Sequence, residues 1–224
     1  MIGHALIMAA GRGLRMMPLT QSMPKPMIDV NGATMIAGAI RQLKEQVGQI
    51  AITVGYRAPE LAKHCLEEGV STIFNTNERG NAWWVFNTLM RHLDEPVLVL
   101  TCDNIVRLDL HFILDSYHRL GAPACMVVPV RPVAGIEGDY IFSENYYVKT
   151  LSRKQQADSY CSGIQVLNPR QVNLLTGKKE DFADLWDSLI GVRQLRHSAI
   201  YPGDWYAIDT VQQLNTYVGS EKIQ

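Results

Sequence analysis

The run Ala5-Leu6-Ile7-Met8-Ala9-Ala10 passes directly into Gly11-Arg12-Gly13-Leu14-Arg15-Met16-Met17-Pro18-Leu19-Thr20, and Pro24-Lys25-Pro26 follows three residues later. An uncharged apolar run of this length reads as a buried strand. The glycine-rich loop, carrying arginines and followed by a lysine, therefore sits at a strand's carboxyl end, where open α/β sheets receive phosphates. Gly11 and Gly13 let main-chain N–H groups converge on an anion, and Arg15 and Lys25 supply counter-charge. The combination suits a polyphosphate. A Gly-x-Gly pair at a strand end is common by itself, and two familiar phosphate loops are excluded by spacing. There is no Gly-x-x-x-x-Gly-Lys-Ser/Thr, and Met16 stands where a dinucleotide fingerprint needs its third glycine.

Downstream, strand and helix patterns alternate. Met27–Val30 reads as a short strand, Asn31-Gly32 as a turn, and Thr34 as the cap of a helix whose apolar positions Met35, Ile36, Ala39, Ile40, Leu43 and Val47 keep helical spacing. Strands are expected at Ile50–Val54, Thr72–Phe74 and Val97–Leu100, with helices from Pro59 to Glu68 and from Gly80 to Leu93. This alternation implies a parallel α/β layer. From about residue 123 the texture changes, with strands at Ala124–Val130 and Ser162–Leu167 and a hairpin from Tyr140–Phe142 to Tyr147–Thr150. Helices are expected at Pro169–Leu175 and Asp181–Ile190, then a strand at Trp205–Ile208 and a last helix at Val211–Val218. The fold class expected is α/β: a Rossmann-like, mixed but mainly parallel sheet flanked by helices, with a small C-terminal β/α portion. Residues 1–224 form one domain in this reading, with halves 1–122 and 123–224.

Composition narrows the function classes. Apolar residues make up 47% and charged residues 19% of the 224, and the net charge is −1, so there is no electrostatic footprint for nucleic acid. Cys65, Cys102, Cys125 and Cys161 are far apart and lack Cys-x-x-Cys spacing, and read as core thiols of a reducing, cytoplasmic compartment. No apolar stretch has the length of a membrane span or of a signal segment. The six histidines form no metal-binding motif.

Two aspartates stand where such a loop needs them. Asp103 ends the very apolar fourth strand and would project into the same crevice as the loop; Asp209 ends the late strand before the final helix. Each is equally placed to serve as a turn or helix cap. Together with the loop, Asp103 suits a magnesium ion bridging to phosphate.

The ordered match Gly11-x-Gly13-x-Arg15-Met16-x-Pro18-Leu19-Thr20 with Pro24-Lys25-Pro26 resembles the opening of the nucleotidyltransferases that make activated sugars and phospho-alcohols. The resemblance implies a Mg²⁺-dependent enzyme moving a nucleotidyl group from an NTP to a small phosphorylated acceptor. Arg15, Lys25, Asp103 and Asp209 would be catalytic, the two aspartates holding the metal. Ala9, Ala10, Gly11, Gly13, Gly55 and Asn81 would bind the nucleotide, with residues 1–122 as the nucleotide half and 123–224 as the acceptor half. Segments such as Ile52-Thr53-Val54-Gly55-Tyr56, Asp103-Asn104, Ser162-Gly163-Ile164, Asp184-Leu185-Trp186-Asp187 and Ile208-Asp209-Thr210 are similar to the bacterial CTP:phosphocholine cytidylyltransferase branch. That leans toward CTP and a phosphocholine-like acceptor, for cell-surface polysaccharide or lipid decoration. A guanylyl- or uridylyltransferase acting on a sugar-1-phosphate is the alternative. Where sugar-1-phosphate enzymes carry Glu-Lys-Pro, this chain has Arg153-Lys154-Gln155. Lys154 matches the lysine and is expected either to meet the acceptor phosphate or to stand as a solvated hairpin lysine, with Tyr140, Trp186 and Tyr201 as candidate aromatic faces, of which one or two would touch acceptor. A non-catalytic nucleotide-sensing module on the same fold should have lost the loop or an aspartate, and neither is lost. The partners implied are the NTP and its acceptor, with no nucleic acid and no membrane insertion, leaving room for a homo-oligomer.

Overall fold

A computed structural model describes residues 2–221. In chain order the strands are β1 (Ile2–Met8), β2 (Asp29–Val30), β3 (Ala33–Thr34), β4 (Val47–Val54), β5 (Thr72–Asn75), β6 (Val97–Thr101), β7 (Asn104–Val106), β8 (Cys125–Val130), β9 (Tyr140–Glu144), β10 (Tyr147–Ser152), β11 (Tyr160–Leu167), β12 (Leu195–His197) and β13 (Trp205–Ala207). The helices are α1 (Met35–Leu43), α2 (Ala58–Glu67), α3 (Trp83–Asn87), α4 (Leu110–Arg119), α5 (Pro169–Leu175), α6 (Phe182–Gly191) and α7 (Val211–Glu221).

Nine strands form one continuous sheet in the order β5-β4-β1-β6-β11-β8-β12-β10-β9. β5, β4, β1 and β6 pair in parallel, β11 inserts antiparallel between β6 and β8, and β12 runs parallel to β8. Only β10 and β11 run against the rest, so the sheet is mixed and mainly parallel, as its sequence pattern implies. The two faces of each central strand feed different cores. Ala5, Ile7, Leu98 and Leu100 pack with α1, α2 and α4, whereas Leu6, Val97 and Val99 pack with α3, α5 and α6. This two-sided burial explains why β1 and β6 are apolar without alternation.

The chain leaves β1 toward β4 on one side, and β6 takes the other, so the connections diverge between β1 and β6. Met8 is in register with Thr101, and the N–H of Cys102 donates to the Met8 carbonyl at 3.1 Å. The segments that follow β1 and β6 thus emerge side by side at a topological switch point.

Several boundaries differ from the sequence pattern. The expected helix over Gly80–Leu93 is only α3 plus a separate 3₁₀ turn at Leu89–His92. Thr88 interrupts it: its backbone is extended, and its hydroxyl donates to the Trp84 carbonyl at 2.7 Å. The expected strand at Met27–Val30 begins as a 3₁₀ turn over Lys25–Met27 and reaches extended form only at β2. Asn31 and Gly32 both have positive φ, 55° and 86°, as a two-residue hairpin turn requires. β7 and β12, three residues each, were too short to show a period.

Candidate active site

The loop is fastened from below. Gly13 has φ +64°, its carbonyl accepts the Thr20 hydroxyl at 2.8 Å, and a Cβ there would lie 2.7 Å from the Lys25 Cβ. Met16 is fully buried with Ile28, Met35 and Ile208, while neighbouring Arg15 stays exposed. A buried anchor next to an exposed guanidinium points the latter into the cleft. Arg12 instead lies over the Tyr56 ring, 5.4 Å from its centroid, and the Tyr56 hydroxyl donates to the Thr20 carbonyl at 3.1 Å.

The two aspartates are brought together by a ribbon. β7 and β13 pair antiparallel with Asn104 opposite Ala207, and the Ile208 N–H donates to the Asp103 carbonyl at 3.0 Å. Side chains 106 positions apart in sequence therefore face one point. Lys25 occupies it: its Nζ lies 2.8 Å from Asp103 Oδ2 and 2.7 Å from Asp209 Oδ1. Arg15 Nη2 reaches the same Asp209 oxygen at 3.2 Å. Burial alone would lower the Lys25 ammonium, but the Asp103 and Asp209 carboxylates outweigh it and raise it above its ordinary value. For Asp103, burial pushes upward and is overcome by Lys25, with hydrogen bonds from Lys25 and Thr101, so its carboxyl is held below the usual range. Burial, with Asp103 beside it, pushes the Cys102 thiol up to about 12, which makes it no nucleophile at neutral pH.

Two clefts meet at this cluster. One, of about 500 Å³, is lined by Ala9, Gly11, Gly13, Arg15, Lys25 and Asp103 among others. The other, of about 240 Å³, shares Arg15, Thr101, Asp103 and Asp209 with the first and continues past Asn81, Glu137, Asp139, Arg153, Gly163 and Trp186. Both carboxylates reach the same nitrogen, and hard oxygens of this kind suit Mg²⁺. Among the described residues no group of three or more His, Cys, Asp or Glu is gathered to hold a metal. An ion here would complete its shell with water and substrate oxygens, as Mg²⁺ sites commonly do.

The sequence candidates divide accordingly. Arg15, Lys25, Asp103 and Asp209 converge, and Ala9, Gly11 and Gly13 line the loop side. Ala10 and Gly55 lie outside the cleft lining and support the loop from behind: the Ala10 carbonyl accepts the Tyr56 N–H at 3.0 Å, and a Cβ on Gly55 would lie 2.6 Å from that carbonyl. Asn81 lines the second cleft, with its Oδ1 accepting the Phe182 N–H at 2.7 Å at the start of α6. Trp186 lines the same cleft and donates to Gln165 Oε1 at 3.0 Å.

Lys154, Tyr140 and Tyr201 do not line it. Lys154 is exposed beyond a turn in which Ser152 Oγ accepts the N–H groups of residues 154 and 155 at 3.2 and 3.1 Å. Tyr140 stacks edge-on against Tyr160, and the Tyr201 hydroxyl is spent on the Asp109 N–H and the Arg107 carbonyl, both at 2.6 Å. Arg153, Glu137, Asp139 and Gly163 are in the cleft without having been singled out. Arg153 directly follows β10 and meets Asp139 at 2.8 Å, whereas Lys154 lies in the Ser152 turn; the match to a Glu-Lys-Pro pattern does not distinguish the two neighbours.

Comparison with known proteins places this geometry. The model of the MobA-like NTP transferase domain matches residues 5–160. The chain belongs to this family. A mannose-1-phosphate guanylyltransferase catalytic subunit beta from Drosophila melanogaster is 27% identical over 178 residues, covering 74% of this chain and 48% of that protein. A 2-aminoethylphosphonate cytidylyltransferase from Lancefieldella rimae is 52% identical over 54 residues, 24% of this chain and 22% of that one. The chain spans about half the length of the first of these, so that relative carries much that has no counterpart here. The structure of CTP:phosphocholine cytidylyltransferase from Streptococcus pneumoniae superposes with a TM-score of 0.74 at 20% identity over 100% of both chains, a likeness of fold.

Proposed function

We propose that this member of the NTP transferase family moves a nucleotidyl group from an NTP, with CTP preferred, to a small phosphorylated acceptor of the phosphocholine or sugar-phosphate kind, releasing pyrophosphate. The observation that carries the reading is the convergence of Asp103, Asp209 and Lys25 beneath the Gly11–Gly13 loop. Residues 1–224 are read as one domain working in the cytoplasm, a placement that suits four free thiols.

An acceptor phosphate is already an anionic nucleophile, so the reaction needs neither a protein nucleophile nor a strong base. One of its oxygens attacks the α-phosphorus, the bond from that phosphorus to the bridging oxygen breaks, and the electron pair leaves with pyrophosphate. The barrier is the meeting of two anions, which positioning and charge neutralisation lower. Lys25, freed from its carboxylate partners by substrate, would balance charge on the α-phosphate. Arg15, exposed at the mouth of the cleft, would hold the β- and γ-phosphates, while N–H groups of Gly11 and Gly13 would approach the same chain of phosphates. Asp103 and Asp209 would hold Mg²⁺, which when bound offsets phosphate charge and fixes phosphate geometry. Trp186 and Asn81 wall the acceptor side.

The base preference rests on the cytidylyltransferase relative of high local identity; the guanylyltransferase relative favours a guanylyl reading with a sugar-1-phosphate. Pyrophosphate release across four NTPs against phosphocholine, 2-aminoethylphosphonate, mannose-1-phosphate and glucose-1-phosphate decides between them. CTP with phosphocholine or 2-aminoethylphosphonate should give the highest rate; GTP or UTP with a sugar phosphate would overturn the preference for CTP, and no release with any pair would overturn the activity.

A further inference from the structure

The acceptor side of the cleft holds a cation that the catalytic cluster does not use. Arg153 follows β10 directly, and the pairing of Ser152 with Tyr140 sets it opposite Asp139, the residue that leads into β9. Its Nε lies 2.8 Å from Asp139 Oδ1 and its Nη2 3.4 Å from Oδ2, a two-point grip. A guanidinium carries five N–H donors, so this grip leaves the Nη1 pair and a further Nη2 proton unspent. Asp139 is itself fixed: its carbonyl accepts the Cys161 N–H at 2.9 Å, and Gly138 lies so flat on Tyr160 that a Cβ would come within 2.6 Å of the ring. Glu137, two residues earlier, is 3.9 Å from Arg15. The segment Glu137-Gly138-Asp139 thus faces an arginine from the loop and an arginine from the hairpin across one cleft. The Arg153 side chain is 70% exposed, against 10% for Lys25, so an anion arriving from solvent meets it first. Asp209 and Glu137 are close enough to favour its charged form, though Asp139 contributes most.

We infer that Arg153 binds the phosphate or phosphonate group of the acceptor, and that Asp139 is a positioning residue that aims it. The inference rests on the proposed nucleotidyl transfer, which gives the second anion its reason to be there. Two anions must meet; Arg15 and Lys25 serve the NTP, Arg12 lies over Tyr56 on the loop side, and among the described residues Arg153 is the cation that joins Arg15 in lining the second cleft. Lys154, the neighbour that the resemblance favours, is exposed and does not line this cleft.

Two readouts separate the inference from the reaction it rests on. In steady-state assays with CTP and phosphocholine, Arg153→Ala should raise the acceptor KM about tenfold or more, the scale of one charge-assisted contact, and leave the CTP KM within about twofold. Lys154→Ala should have the smaller effect. Asp139→Asn should raise the acceptor KM while kcat is largely kept, and Asp139→Glu should recover part of the loss. Without turnover, inorganic phosphate titrated into protein saturated with Mg²⁺ and α,β-methylene CTP should bind about tenfold more weakly to Arg153→Ala than to the wild type. Failure of all turnover with this phosphate difference intact would overturn the reaction and leave the anion site standing. Equal phosphate binding by wild type and Arg153→Ala, or a larger loss in Lys154→Ala, would overturn the inference.

Discussion

On the loop side of the cleft the cation is buried and held by two carboxylates at 2.8 and 2.7 Å, whereas on the hairpin side Arg153 is mostly exposed and held by one. The first arrangement is over-determined: Gly13, Met16, Thr20 and the β7–β13 ribbon leave Lys25, Asp103 and Asp209 little choice of place. The second depends on the register of a single hairpin next to a bulge. The difference matches what each side must do. In the proposed reaction, chemistry at the α-phosphorus would be common to every acceptor and would reward fixed geometry, while the hairpin side would be left to recognise the acceptor. Rigidity on one side and adjustability on the other would let related chains share a loop and differ in acceptor.

Apart from the aspartate pair itself, the largest break in this comparison comes from Lys25→Ala. It should cost roughly 10²–10³-fold in kcat by loss of positioned charge, measured by pyrophosphate release, with circular dichroism unchanged. A merely twofold effect would make the lysine a structural counter-ion. Next comes Gly13→Ala, which demands a left-handed backbone of a residue bearing a Cβ and presses that atom onto Lys25. We expect a stability loss of about 1–2 kcal/mol by denaturant titration and a fall in kcat larger than the fall in acceptor affinity. The hairpin side should answer in the opposite sense. Trp186→Ala should raise the acceptor KM about tenfold, for loss of one aromatic wall, with the NTP KM little changed.

The smallest effect tests pH. His197, on β12 beside the hairpin, is held below its ordinary pKa chiefly by burial, partly offset by a hydrogen bond with the Ser198 carbonyl. The unfolded chain binds this proton more readily than the folded one. His197 therefore contributes stability that is present above pH 6.5 and lost as pH falls through its lower folded value. Between pH 7.5 and 5.5 the wild type should lose stability that His197→Phe does not, read as a smaller shift in Tm for the variant. Identical shifts would place the sensitivity elsewhere.

The same contrast decides what could be read from the chain. The loop and its strand are contiguous, so glycine spacing, apolar run and basic residues declare themselves within the first 26 positions. Asp103 and Asp209 each close an apolar strand segment, and the crevice rule for α/β sheets puts such ends together. Of the ribbon that joins them, β13 falls within the strand expected at Trp205–Ile208, whereas its partner β7, three residues long, has no pattern to find. Arg153 was hidden for a different reason: the motif match favoured its neighbour Lys154, and what puts Arg153 in the cleft is its pairing across the hairpin with Asp139. Glu137, Asp139 and Gly163 likewise depend on how β9 and β11 are laid together, with Gly163 at φ +82° inside an irregularity of β11. Their signal lies in pairing rather than in sequence order.

The account turns on Asp103 and Asp209 acting as one unit, and a double-mutant cycle on pyrophosphate release with the best NTP and acceptor tests this directly. If they hold one ion together, Asp103→Asn and Asp209→Asn should each cost on the order of 10³-fold or more, and the double variant little beyond either single one. Losses that multiply in the double variant, or an Asp209→Asn protein that keeps wild-type turnover, would contradict it.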